Sequence, residues 1–267
     1  MRGPATLSDA AFGPATPLDE LRAALATLTR IPVGGVRGDV SGAAAFGAVG
    51  GLVGVVGSVP LLVLGTTAAT TMVAAILAVA VVAAMSGAFH LDGLADTADA
   101  LVAIGPTAAE RARKDPRLGA GGAVALVSIV ILDVACLEPL LRTAGPIGAA
   151  ALLVVAAAGS RAFAVGVASL ARGRAVGEGM GARFAASVTT LAAVVAGGSA
   201  AVLGLLATPI VGPIAVAALL VGWAVAGGLV ALVIRARHQL DGDGLGAAVE
   251  LSFSAILVAG VVIAAVT

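Results

Sequence analysis

The chain has 267 residues, 60% hydrophobic and only 11% charged, with 15 basic and 15 acidic side chains and no net charge. Soluble domains carry about a quarter charged residues and about half apolar ones, so a soluble enzyme is excluded and an all-α, polytopic integral membrane protein is expected. One cysteine, Cys136, excludes an intrachain disulfide framework and a multi-cysteine metal site, and so few aromatics argue against base stacking with a nucleic-acid partner.

Residues 1–17 are a Pro-, Ala- and Gly-bearing leader without the basic and apolar regions of a signal peptide, expected to be a flexible tail. Residues 18–267 are expected to form a single transmembrane domain. From Leu18 to Thr29 the pattern Leu21, Leu25, Leu28 predicts a short amphipathic helix that Pro32 stops. It is too short to cross a bilayer and should lie at the interface. Runs long enough to span follow at 43–65, 66–89, 119–141, 145–171, 187–207, 209–234 and 248–266. Only Thr208-Pro209 and Gly212-Pro213 separate the fifth from the sixth, so those two are read as two spans, as one merged span or as a re-entrant pair.

The basic residues alternate. Arg2, Arg22, Arg30 and Arg37 precede the first span, Arg111, Arg113, Lys114 and Arg117 follow the second, Arg172, Arg174 and Arg183 follow the fourth, and Arg235 and Arg237 follow the sixth. Of the remainder, Arg142 lies in a connection of the other parity and Arg161 lies within a span. Positive loops stay inside, which places the N-terminus and the charged loops in the cytoplasm of a multi-pass inner-membrane protein. Every polar cluster falls on that face. A transporter would set its charges near the midplane with openings on both sides, so one-sided chemistry at the membrane surface is favoured.

The densest cluster is Phe89-His90-Leu91-Asp92-Gly93-Leu94-Ala95-Asp96-Thr97-Ala98-Asp99. In a helix, Asp92, Asp96 and Asp99 share one face, and like charges so placed repel. A hard divalent cation between them is one resolution. A solvated helix end, with Asp92 as an N-cap, is the other. His90 reads either as a catalytic group or as a satisfied interfacial side chain.

Lys114-Asp115-Pro116-Arg117 then leads into Gly119-Ala120-Gly121-Gly122, whose backbone N–H groups can face an anion. Lys114 and Arg117 are candidate phosphate contacts, Asp115 is a further acidic candidate, and the preceding basic residues read equally well as topology determinants. Arg161, inside a span, needs a carboxylate or a phosphate as partner unless it snorkels to the interface. Glu138 and Arg142 are spaced as an i,i+4 pair. Asp243 and Glu250, seven apart at the entry to the last span, read as further metal ligands or as the base that takes a proton from an attacking hydroxyl. Carboxylates, cations and glycine turns on one face together suggest phosphate chemistry bridged by a metal.

These residues resemble those of the cobalamin synthase (adenosylcobinamide-GDP ribazoletransferase) family. The likeness rests on the stretch from Phe89 to Asp99, supported in order by Leu28-Thr29-Arg30-Ile31-Pro32, Lys114-Asp115-Pro116-Arg117-Leu118-Gly119, Ser160-Arg161, Gly179-Met180-Gly181, and Gly242-Asp243 with Gly246-Ala247 and Glu250. The resemblance implies a Mg²⁺-dependent membrane enzyme, surrounded by lipid and compatible with oligomers. The hydroxyl of α-ribazole, or of its 5′-phosphate, would attack adenosylcobinamide-GDP and release GMP. It implies Asp92, Asp96, Asp99 and Asp115 as metal ligands, and Arg30, Lys114, Arg117, Arg161 and Gly119 around the phosphates. Asp92, Asp96, His90, Asp243 and Glu250 would be the catalytic set. Two positions depart from the family pattern: Asp133 stands where lysine is frequent, and Asp241 where threonine precedes Gly-Asp. The spacing Asp-x-x-x-Asp-x-x-Asp matches neither CDP-alcohol phosphotransferases nor prenyltransferases, the nearest alternatives in chemistry.

Overall fold

The computed structural model describes residues 14–105, 107, 109, 117–171, 180–237 and 240–266. Most of the expected tail lies outside them, as do Lys114 and Asp115.

Helix α1 (Pro17–Leu28) starts at a capping box in which Thr16 and Asp19 satisfy each other's backbone amides. A 3₁₀ turn (Ala43–Ala45) leads into α2 (Phe46–Gly57) and α3 (Val59–Leu64), which together cross as one apolar unit, Ala43–Leu64. Helices α6 (Ala120–Thr143), α7 (Gly145–Leu170), α9 (Thr190–Val211), α10 (Ile214–Arg237) and α11 (Gly242–Val266) are each long and apolar enough to span. A short helix α8 (Met180–Ser187) precedes α9. The fifth and sixth runs are therefore two separate helices, parted by the turn at Gly212 and Pro213. The last span begins at Gly242, six residues ahead of its expected start.

Helix α7 is the most enclosed span. It packs against α2, α9 and α11, while α11 also packs on α10. Large apolar side chains such as Val194, Leu206 and Val225 face outward, as a lipid-facing surface requires. Glu138 and Arg142 form the expected ion pair, and the Thr71 hydroxyl donates to Glu138 at 3.1 Å.

The second run differs from its expected 66–89. Helix α4 (Thr71–Ser86) has only 16 residues, about 24 Å at 1.5 Å per residue. It then stops, and α5 (Phe89–Val102) leaves at 91° to it. The stop is a Schellman turn: the Gly87 amide donates to Ala84 and the Ala88 amide to Ala83. Gly87 has φ +63° and Ala88 φ +59°, two successive left-handed residues that swing the chain sideways. As a result α5 turns away from the line of α4 and packs beside the opening turns of α6 and α11, with Asp99 at Gly119 and Gly122 and Leu94 against Ile129 and Ala247.

Candidate active site

The bent chain sets the acidic helix against the end of the bundle. It crosses α11 where two glycines meet: a Cβ on Gly93 would come within 2.9 Å of the Asp243 carbonyl oxygen and 3.2 Å of Gly246 Cα. Any side chain at this crossing would force the helices apart. The contact brings the His90–Asp99 segment and the Asp243–Glu250 segment together, as a shared site requires.

Asp92 is exposed and Asp96 half-buried. Burial pushes the Asp96 carboxyl up to about 6, and Asp243, Asp92, Asp99 and Asp241 add like-charge repulsion in that order. A crowd of carboxylates around one side chain is a strongly negative spot open to water. Among the described residues, however, no three His, Cys, Asp or Glu side chains stand close enough to cage a metal ion.

Asp99 makes different bonds from its neighbours. Its two oxygens accept from the amides of Gly119 and Gly122, each at 2.8 Å. It thus caps α6 from a separate helix, where the helix dipole favours a negative charge. The Gly119 amide, expected to face a phosphate, faces this carboxylate. Arg117, two residues earlier, is exposed.

Asp241 plays the same part for α11, accepting from the Gly244 amide at 2.9 Å. Threonine and aspartate both serve as N-caps, which accounts for one departure from the family pattern. Arg30 is exposed and sits on the α4–α5 turn: its backbone amide donates to Met85 at 2.8 Å, and its guanidinium covers Gly87 so closely that a Cβ there would lie 2.0 Å from Nε.

Glu250, half-buried, belongs to a second group. With Asp133 and Arg161 it lines an internal cavity of about 20 Å³, room for a single water. The Arg161 guanidinium is 1% exposed, donates to Ser160 Oγ at 3.0 Å and lies 5.9 Å from the Phe253 ring. Glu250 is the carboxylate whose charge acts on it, and among the described residues Arg161 Nε has no hydrogen-bond partner. Asp133 accepts from the Ser254 hydroxyl, a contact its position in the sequence did not disclose. His90 is also buried, with Nδ1 unpartnered among the described residues, beside Leu28, Phe89 and Phe184. Burial, and then the Arg161 charge, hold its imidazole neutral.

The end of the bundle therefore holds two layers. An outer, water-reached layer contains Asp92, Asp96 and Asp243. Behind α5 lies an inner layer of buried Arg161 and Asp133 with half-buried Glu250, and His90 between. The outer layer can attract a cation and, through it, anionic oxygens; the inner one can fix the position of α5 against α7 and α11.

Residues 20–261 match the family described as cobalamin-5-phosphate synthase. The adenosylcobinamide-GDP ribazoletransferase of Citrobacter koseri is 37% identical over 173 residues, covering 62% of this chain and 66% of that protein. That of Shigella boydii is 36% identical over 183 residues, or 66% of this chain and 69% of its own length. That of Allorhizobium ampelinum is 43% identical over 81 residues, covering 30% of this chain and 31% of that protein. No solved structure matches.

Proposed function

The chain belongs to the cobalamin-5-phosphate synthase family, and from that premise we propose that it is an adenosylcobinamide-GDP ribazoletransferase, acting at the last assembly step of cobalamin. The hydroxyl of α-ribazole, or of its 5′-phosphate, forms a new O–P bond to the cobinamide-bearing phosphorus. The diphosphate P–O bond breaks, GMP leaves with the electron pair, and the hydroxyl proton passes to a carboxylate.

The observation that carries this reading is the meeting of α5 and α11 at Gly93 and Gly246, which sets Asp96 among other carboxylates at one end of the bundle. Mg²⁺ fits such a place. It keeps waters and binds through one or two carboxylates plus substrate phosphates rather than in an all-protein cage, so a crowded acidic surface without a closed triad suits it. Asp92 and Asp96 would hold it, and Asp115 is a further candidate ligand. When bound, the ion neutralises charge on the diphosphate oxygens.

Asp243 borders the same outer layer and is the better placed base, since Glu250 faces Arg161 across the inner cavity. Asp99 spends its oxygens on α6 and acts as a positioning residue. Arg117 and Lys114, in the connection after α5, supply positive charge for the leaving GMP, and Arg30 sits at the turn that aims α5. The bare connections opposite and the basic ones on this side support an inner-membrane enzyme with its site and N-terminus in the cytoplasm.

The test uses purified full-length protein in nanodiscs with adenosylcobinamide-GDP and α-ribazole, following GMP and corrinoid product by chromatography with and without Mg²⁺. Coupled release of both, lost in Asp92→Asn, is the expected result. GMP release without a joined corrinoid product, or full activity in Asp92→Asn, would overturn it.

A further inference from the structure

Between α7, α9 and α10 lies a cavity of about 740 Å³, within the about 300–1,000 Å³ of small-molecule sites. Its residues are distinct from those of the acidic site. Phe163, Gly166 and Leu170 of α7, Gly197 of α9 and Trp223 of α10 make an apolar wall, and Arg235 closes one end. The Trp223 indole N–H donates to the Gly159 carbonyl at 3.0 Å, so the ring is fixed with its polar atom satisfied. The space is more than loose packing between helices. A Cβ on Gly166 or Gly227 would meet nothing within 4 Å, and one on Gly197 only the Trp223 ring at 3.7 Å.

The cavity's position indicates what fills it. Helix α10 ends at Arg237 and α11 begins at Gly242, so Arg235 stands at the same end of the bundle as Asp243, at the edge of the spans. Leu170, at the same mouth, is 93% exposed. The slot is therefore apolar within the bilayer depth and cationic where the depth ends. That sequence of chain then charge complements a membrane amphiphile: acyl chain inside, phosphate at the rim.

We propose that this cavity is a binding site for one acyl chain of an anionic glycerophospholipid, whose phosphate rests against Arg235. The proposal rests on the membrane fold and is independent of the reaction.

The test begins with protein purified from membranes in mild detergent, its retained phospholipid extracted and quantified by mass spectrometry. Wild type is expected to retain phosphatidylglycerol-class lipid through purification. Gly166→Leu and Gly227→Leu extend side chains into open space and favour the helix, so unchanged thermal midpoints will show that they fold. Their retained lipid should fall about tenfold, the effect of overfilling a packed site. Arg235→Gln should keep lipid but lose the preference for phosphatidylglycerol over phosphatidylcholine vesicles. Equal lipid retention in the filled variants would overturn the proposal. So would a change in oligomeric mass with lipid unchanged, which would make the groove an interface between copies. A raised KM for adenosylcobinamide-GDP with lipid unchanged would instead assign it to substrate.

Discussion

Replacing Asp96 by asparagine separates what the acidic site costs the fold from what it does for the reaction. In the metal-free protein the Asp96 carboxyl is raised from 3.8 to about 6 by burial and by its acidic neighbours. The folded protein therefore binds this proton more tightly than the unfolded chain. For this group the penalty is absent below 3.8, grows as pH rises, and is complete above about 6. A shift of that size corresponds to about 3 kcal/mol at full value, but solvent reaches the half-exposed side chain, and screening reduces it to about 1 kcal/mol. Asp96→Asn should then raise the thermal midpoint by about 2–4 °C at pH 7.5 without Mg²⁺, and by less at pH 5. Mg²⁺ should stabilise wild type more than the variant, because it relieves the same repulsion, while activity in the variant collapses. Unfolding can be followed by fluorescence of the one tryptophan, Trp223, in nanodiscs at both pH values. A variant less stable than wild type at pH 7.5, with an unchanged response to Mg²⁺, would refute the reasoning.

Asp99→Ala removes the cap shared with α6 and should cost about 0.5–2 kcal/mol, measured as a lowered midpoint that Mg²⁺ does not restore. At the α4–α5 turn, Ala88→Gly should stabilise by about 1 kcal/mol by relieving the left-handed alanine. Gly87→Ala should destabilise because its new methyl meets the Arg30 guanidinium; denaturant midpoints would show both. Asp241→Thr should stay within a few tenths of a kcal/mol of wild type and Asp241→Ala should lose about 1 kcal/mol, which thermal scans would resolve. Glu250→Gln removes the carboxylate whose charge acts on buried Arg161 and should lower the thermal midpoint. The double variant Glu250→Gln, Arg161→Met should recover much of that in the same scans.

Most spans were legible because an apolar run is the signal for a helix that must satisfy its own amides within lipid. The sideways turn at Gly87 was not. Hydropathy continues through it unchanged, and only Gly87 of the two left-handed residues carries a recognisable preference, since alanine at Ala88 favours a helix. For the site, helical spacing correctly put Asp92, Asp96 and Asp99 on one helix, but it could not show that Asp99 is taken up by Gly119 and Gly122, a tertiary contact across twenty residues. Likewise Asp243 and Glu250 share a face of α11, yet Gly246 lies between them and α5 crosses there. One carboxylate is left on the water side of the crossing and the other on the inner side. The Asp133–Ser254 bond joins residues 121 apart, beyond any local pattern.

The clip between Asp99 and the start of α6 also governs how this enzyme can diversify. Because both ends of the connection after α5 are pinned to rigid helices, that stretch is a closed ring hung from a fixed clasp. Doubling the length of such a ring costs only about 0.6 kcal/mol. Insertions between Gly105 and the family motif Lys114-Asp115-Pro116-Arg117 would therefore leave the bundle almost untouched, so this connection can lengthen without moving the membrane scaffold.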